Sequence, residues 1–379
     1  MNPSFSSPRV AIIGAGIIGL SCAWELAKRG VHVTLFESNF HPGRGASWAA
    51  AGMLAPAYEA AAEPGVHPRL FDLCIESARQ WIDMSGAIAA ATNRDVLHTI
   101  GPSLAVAQTA DDLKQMASLA EALTARCVPF DVLSPEEAVE AEPCLRLGNK
   151  GALRLPTDGQ VDNRLLVEAL IRGVEHQERV TFVTGIAPLA MAQGKIVLDG
   201  FDRVIFAAGW ETASVKVDHA LLGDIAPVLR EIGPVAGHML AFNRLPDGPK
   251  MTVRAGALYI VPKAGRLIVG ATAEPGETSR KIEQTAIDCL QTAAQALCPM
   301  LKRATIIEAW RGVRPGTPDH APMIGALGET GTFVATGHYR NGILLAPITA
   351  RIIAESVLDG KTSELADAFS PARCASATA

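Results

Sequence analysis

A small set of residues has types and spacings from which chemistry could be built. Gly14, Gly16 and Gly19 stand in GxGxxG spacing, and Glu37 closes the next apolar run. In a phosphate-binding turn each glycine has its own task. Gly14 permits the sharp turn, Gly16 leaves bare backbone where a pyrophosphate approaches, and Gly19 lets a helix lie close against the strand before it. The phosphates would then face the unpaired N–H groups and positive dipole end of that helix. The Glu37 carboxylate can accept hydrogen bonds from both hydroxyls of an adenosine ribose and would repel a 2′-phosphate, so the pattern predicts a dinucleotide other than NADP. Two plainer explanations compete, a glycine-rich turn and a secretory signal peptide; Glu25 and Lys28 interrupt the segment and speak against the second.

Those residues need a strand, a helix and a second strand to hold them, and Arg9 to Glu37 reads as that unit. Val10 to Ile13 is a short apolar run of the kind a parallel sheet buries on both faces. Ile17, Leu20, Trp24 and Ala27 recur at helical spacing, Lys28 and Arg29 fall in the last turn, and Gly30 stops the helix. Val31, Val33 and Leu35 lead to Glu37. In the loop that follows, Gly43, Gly45, Ser47, Ala49, Ala50, Ala51 and Gly52 leave the backbone nearly bare, which suits either a flat ligand or a closely packed helix start.

The 379 residues are 49% hydrophobic and 19% charged, enough for a large core and for two domains. No apolar run reaches the roughly 18 residues that a bilayer span needs. A net charge of −5 with dispersed basic residues argues against nucleic acid or anionic membrane as the main partner. Seven cysteines and nine histidines form no CxxC pair and no ligand spacing, so neither a disulfide framework nor a metal site is expected. The thiols read as reduced, in a cytoplasmic setting. A homo-oligomer stays open.

Further along, a helix is expected from His67 to about Asn93 with Leu70, Leu73, Cys74, Ala78, Trp81 and Ile82 as its buried stripe, and another from Asp111 to Arg126. Ser134 is placed to cap a short helix, and Asp162 to Glu175 reads as a longer one. Val180 to Val183, Lys195 to Leu198 and Arg203 to Gly209 read as strands, the last ending in small residues that could pass beside a dinucleotide. Residues 235 to 275 read as antiparallel strands, with LYIVPK and RLIVGAT pairing across Lys263-Ala264-Gly265. A helix from about Arg280 to Ala296 and a strand from Thr305 to Trp310 follow. The last helix puts Ile343, Ala346, Ala350, Ile353 and Val357 on one face, entered through Gly337 and Gly342.

The pattern predicts an α/β Rossmann-like domain with a central, mostly parallel sheet, plus an α+β substrate domain with a mostly antiparallel sheet. The first would comprise residues 1–84, 160–215 and 311–365, the second 85–159 and 216–310. Residues 366–379 would form a flexible tail, and residues 1–8 would fray.

Two blocks, Arg9 to Pro56 with GASWAAAGMLAP and Tyr259 to Gly360 with YIVPKAGRLIVGAT, GVRPGTPDHAPMIG and GHYRNGILLAP, resemble the FAD-dependent D-amino acid oxidase superfamily and, within it, the glycine oxidase branch of thiamine biosynthesis. The second block is the specific one, and the middle, about residues 85 to 250, matches only in element order. The resemblance implies FAD, bound without a covalent link because no cysteine stands where relatives attach it. It implies that Gly14, Gly16, Ile17, Ile18, Gly19 and Glu37 hold the ADP half and that Ser47, Ala50, Gly52 and Met53 line the flavin. Val183, Ala208 and Gly209 would also border the cofactor. The loop with Gly337, His338, Arg340, Asn341, Gly342, Ile343 and Leu344 would approach the flavin's pyrimidine end. Tyr259 and Arg314 would grip a substrate carboxylate, with Arg340 at the same pocket. Ala257 departs from the branch, which carries histidine two positions before the tyrosine; a roomier pocket follows.

The expected reaction is oxidation of a small amino acid, with hydride passing from the α-carbon to flavin N5 and oxygen as the final acceptor. A planar guanidinium suits the carboxylate because it offers two parallel donors and stays protonated. Surface arginines and an ordinary strand aromatic remain the plainer explanations of Arg314, Arg340 and Tyr259. A D-amino acid dehydrogenase that passes electrons to a quinone, and a flavin- or NAD-binding regulatory module without turnover, are the alternatives in function.

Overall fold

The computed structural model describes residues 7–60, 65–146, 148–185, 191–192, 195–198, 200–215, 217–218, 226–328, 331–360 and 362–375. Within it the apolar runs at 10–13, 33–36 and 203–206 lie side by side. Arg9–Ile13 pairs in parallel with His32–Glu37 on one side and Arg203–Phe206 on the other. The sheet extends to Val180–Thr184 beyond the first, and to Thr332–Thr336 and Met323–Ala326 beyond the second. The Met323–Ala326 edge runs antiparallel to its neighbour. Alternate residues go to opposite cores: Val10, Ile12, Val33 and Leu35 to one, Ala11, Ile13, Phe36 and Val204 to the other. Two-sided burial explains why these strands read as unbroken apolar runs. Leu20 and Trp24 of the helix Ile17–Lys28, Leu166 and Leu170 of Asn163–Glu175, and Ile353 and Val357 of Ala346–Asp359 fill the first core.

The second sheet runs in the order Glu274–Pro275, Gly233–Asn243, Arg266–Gly270, Leu258–Lys263, Thr252–Ala255, Ser103–Val106, Ala152–Leu155, Asp131–Leu133. Its pairs are antiparallel except for Thr252–Ala255 with Ser103–Val106. The expected hairpin is present, with Tyr259 opposite Gly270 and Lys263 opposite Arg266. Helix starts follow their caps. Ser134 Oγ accepts from Glu137 N while Glu137 returns a carboxylate oxygen to Ser134 N, and Asp162 Oδ1 accepts from Arg164 N and Leu165 N.

Three expectations change. In the helix Leu70–Thr92, Ile82 is 57% exposed and Ala78 only half-buried; Ser77, Trp81 and Ile88 carry the stripe, and Ile82, one residue past Trp81, is turned about 100° away from it. The strand expected to end at Trp310 continues as Ile306–Gly316, pairing with Gly233–Asn243 through Gly316, so a boundary at residue 311 falls inside the second sheet. Residues 366–375 are not a loose tail. Phe369 is fully buried against His67, and Arg373 binds the Asp319 carboxylate and Ala321 O. Residues 1–6 and 376–379, which also carry the fraying expectation, lie outside the described residues. Among the described residues no helix is long and apolar enough to cross a membrane.

Candidate active site

The glycine turn is built as its spacing demands. Gly14 has φ +105°, and a Cβ there would stand 2.6 Å from Ala207 O. A Cβ on Gly19 would stand 1.8 Å from Gly14 O, which is the close approach of helix to strand. Gly16 differs from both. The nearest atom to its absent Cβ is Ser47 Oγ at 3.4 Å, so no protein backbone needs that space. Room beside the start of a helix, with N–H groups pointing into it, is what a phosphate requires. Ile17 N donates to Ser47 Oγ at 2.9 Å. Glu37 Oε2 accepts from Ala15 N at 2.9 Å, and its other oxygen accepts from Asn39 N and Asn39 Nδ2, both at 3.0 Å. The carboxylate is thereby fixed at the end of the second strand, where a ribose would meet it.

The small-residue loop is held from behind by the start of a distant helix. Asn163 Nδ2 donates to Ser47 O and Trp48 O at 2.9 and 3.0 Å, Trp310 Nε1 to Ala49 O at 3.0 Å, and Val161 N to Gly52 O at 2.9 Å. These bonds turn the small side chains of the loop toward one cleft of about 720 Å³, well inside the size range of cofactor sites.

Most of the predicted residues are on its wall: Gly14, Gly16, Ile17, Ile18, Glu37, Ser47, Ala50, Gly52, Met53, Ala208, Gly209, His338, Asn341, Gly342 and Ile343, together with Tyr259, Arg314 and Arg340. Four lie behind it. Gly19 packs on Gly14; Gly337, at φ +77°, leaves space that Thr317 Cγ2 fills; Val183 packs with the Phe36 core; and the Leu344 carbonyl accepts from Ser77 Oγ and Trp81 Nε1. Their tasks are structural.

At the other end of the cleft, Tyr259 points across the sheet, with Oη 3.7 Å from Met239 Sδ. Arg314 Nη1 donates to Thr272 O at 3.2 Å. Thr272 Oγ1 donates to Glu274 Oε1 at 2.7 Å, Glu274 is ion-paired with Arg311, and His238 Nδ1 is 2.9 Å from Glu274 Oε1. Glu283 N donates to His238 Nε2 at 3.1 Å, which puts the ring's proton on Nδ1. This network, anchored on buried His238 and Arg311 with Thr272 and Glu274 partly exposed, sets the backbone on which Arg314 rests. His338 bonds Thr349 Oγ1 through Nε2 at 2.9 Å, and burial pushes its pKa down to about 3, so it stays neutral. Arg340 lies over the Tyr339 ring at 5.7 Å. Lys263 donates to Val161 O at 2.6 Å, and burial lowers its pKa to about 7.

Asn163, Lys263, Thr272 and Arg254, which lines the cleft beside Tyr259, were not among the predicted residues. The signal for Lys263 was a charge ending an otherwise apolar strand; Asn163 had none, because its partners are over a hundred residues away. The arrangement suits a two-part ligand: phosphates at the glycine turn, and near Tyr259 an anion that the guanidinium groups can bind.

The family model for DAO, FAD dependent oxidoreductase, matches residues 9–356. The bifunctional protein ThiO/ThiG of Synechocystis sp. is 35% identical over 378 residues, covering 96% of this chain and 54% of that protein. Glycine oxidase of Geobacillus kaustophilus is 32% identical over 363 residues, 92% of each. The crystal structure of glycine oxidase from Geobacillus kaustophilus superposes with a TM-score of 0.83 at 30% identity, covering 96% of this chain and 98% of that one. This chain therefore spans about half the length of the bifunctional relative and nearly all of the single-function one. Because the match runs through both sheets and every residue of the cleft wall, the group that fits the bare backbone at Gly16 is FAD, and the chain belongs to the DAO family of FAD dependent oxidoreductases.

Proposed function

We propose that this protein oxidises a small amino acid (glycine, sarcosine or a small D-amino acid) to its imino acid. The observation that carries the reading is that Tyr259, Arg314 and Arg340 line the same cleft as the glycine turn; relatives named glycine oxidase support it. Bound FAD supplies the acceptor for the hydride that leaves the α-carbon. The chain supplies everything else. Arg314, with Tyr259 and Arg340, takes the substrate carboxylate and fixes the α-carbon; binding the amine in its neutral form leaves no proton for a protein base to remove before the transfer. The walls of the cleft limit the access of water to the reacting atoms. Electrons then pass to oxygen, giving hydrogen peroxide, and the imino acid hydrolyses to the oxo acid and ammonia, or to methylamine from sarcosine.

Service to thiamine biosynthesis follows from the relatives that carry the ThiO name. We also assign the non-covalent FAD to a discontinuous domain around the parallel sheet, the substrate end to the antiparallel sheet, and the protein's workplace to the cytoplasm. Anaerobic mixing with glycine, sarcosine and D-amino acids tests the reading. Bleaching of the yellow enzyme that reverses on admitting oxygen, with one peroxide formed per substrate, is the expected result. Reoxidation by a quinone but not by oxygen would make it a dehydrogenase, and a flavin that no amino acid bleaches would make it a binding module.

A further inference from the structure

Lys263 is a buried ammonium that neither the substrate residues nor the glycine turn accounts for. It ends the strand Leu258–Lys263 on the same face as Tyr259 and Val261, since alternate strand residues share a face. Val261 packs with Ala51 and Met53, so this face runs beneath the small-residue loop, and Lys263 lies at its end, 5% exposed. Its Nζ donates to Val161 O at 2.6 Å, and Val161 N donates in turn to Gly52 O at 2.9 Å. Gly52 has φ +72°; a Cβ there would stand 2.2 Å from Val161 O and 3.1 Å from the ammonium. Gly52 and Met53 both line the cleft. Gln160 Nε2 closes the same clasp on Pro262 O at 3.0 Å. The ionisable groups that face Lys263 are Asp162 and Arg266, which oppose each other, so burial prevails and brings the amine to about 7.

An apolar side chain would fill this position without the cost of burying a charge. We propose that Lys263 is a positioning residue for the cofactor: it clamps Val161 onto Gly52, holding the Gly52–Met53 backbone against the flavin, and sets a positive charge behind that wall which favours the reduced, more negative flavin. The proposal rests on the reading of Gly52 and Met53 as flavin-lining. Because such coupling is reciprocal, reduction of the flavin must also strengthen proton binding at Lys263.

The test measures FAD content first, then the reduction potential of bound FAD at pH 6 and pH 9, in wild type and Lys263→Met. The variant is expected to hold FAD less tightly and, once saturated with added FAD, to prefer the reduced form at pH 6 roughly tenfold less, the order that one charge exerts across partly shielded protein; at pH 9 the two potentials coincide. In wild type labelled at lysine Cε, one carbon resonance is expected to titrate near neutrality and to shift its midpoint upward when the flavin is reduced. Full FAD with equal potentials at both pH values would overturn the role of Lys263 alone. An unmoved midpoint would do the same even where the variant fails to fold. Wild-type protein that takes up no FAD would overturn the reading of the cleft, and this proposal with it.

Discussion

The ring of Tyr259 occupies the space that a side chain on Gly270 would take. The two residues face each other across paired strands, and a Cβ on Gly270 would stand 2.3 Å from the phenolic oxygen and 2.4 Å from Cζ. Gly270→Ala is therefore expected to push the hydroxyl off its position and raise KM for the amino acid about tenfold, the lower end for losing a hydrogen bond to a charged group. FAD content should not change. Adding Tyr259→Phe should cost little more, since both changes remove one interaction. Full additivity in the double variant would show that Gly270 acts by a route other than the hydroxyl, and an unchanged KM in Tyr259→Phe alone would show that the hydroxyl does not touch the substrate.

Arg314 tests the carboxylate clamp. Removing one partner of a buried charge pair costs about 2–5 kcal/mol, so Arg314→Met should lower kcat/KM by about 30-fold to several thousandfold. Arg314→Lys should recover little of it, because an ammonium cannot reproduce the two parallel donors. Flavin content and melting temperature serve as controls. Amines without a carboxylate oxidised as fast as amino acids would remove the clamp from the mechanism.

Gly16 and Gly19 separate binding from folding. The absent Cβ of Gly16 meets no protein atom closer than Ser47 Oγ at 3.4 Å, whereas that of Gly19 would stand 1.8 Å from Gly14 O. Gly16→Val should fold and purify colourless; Gly19→Val should lose stability with or without the cofactor. A yellow Gly16→Val protein with normal FAD would mean that the pyrophosphate lies elsewhere.

Ala257 lines the cleft and sets its breadth. Wild type is expected to accept D-alanine and D-proline as well as glycine, and Ala257→His to lose them selectively. Each methylene no longer buried is worth about 0.8 kcal/mol, or about fourfold in kcat/KM. An unchanged substrate ranking in the variant would assign the breadth to other residues.

His338 should leave a mark on acid stability. Burial holds its folded pKa near 3, below the ordinary value of 6.5. Between those values the unfolded chain binds a proton that the folded chain refuses, so stability falls as pH drops through this window. Urea midpoints at pH 7.5 and 5 should therefore differ more in wild type than in His338→Gln. Equal differences would indicate that the ring is protonated in the folded protein.

What could be read from the sequence was local. The turn from Gly14 to Gly19, Glu37 and the hairpin through Tyr259 were legible because each is set by neighbours a few residues apart, where spacing and period act directly. Ile82 misled because it follows Trp81 in an apolar helix, and only packing decides which of the two faces the core. Leu344 and Gly337 drew attention as parts of a glycine-framed loop, yet their tasks are to receive Trp81 and to admit Thr317. Asn163 and Lys263 escaped for the opposite reason. Asn163 meets the loop at residues 47–52 directly and Lys263 through Val161, each only after the chain has crossed into the second sheet or returned from it, and nothing in linear spacing records such a meeting.

The strand order of the parallel sheet also bears on how the protein is made. Arg203–Phe206 sits between Arg9–Ile13 and Thr332–Thr336, and the cleft wall takes residues from 13 through 343. A ribosome delivers the glycine turn first and the residues that face it last. At about 5–20 residues per second, roughly 15–60 s separate the synthesis of Glu37 from that of Ala335. For that time the nascent chain exposes a half-built nucleotide site and an unpaired sheet edge. A complete FAD site is thus a late product of synthesis, because its wall closes only when Thr332–Thr336 joins the sheet beside Arg203–Phe206.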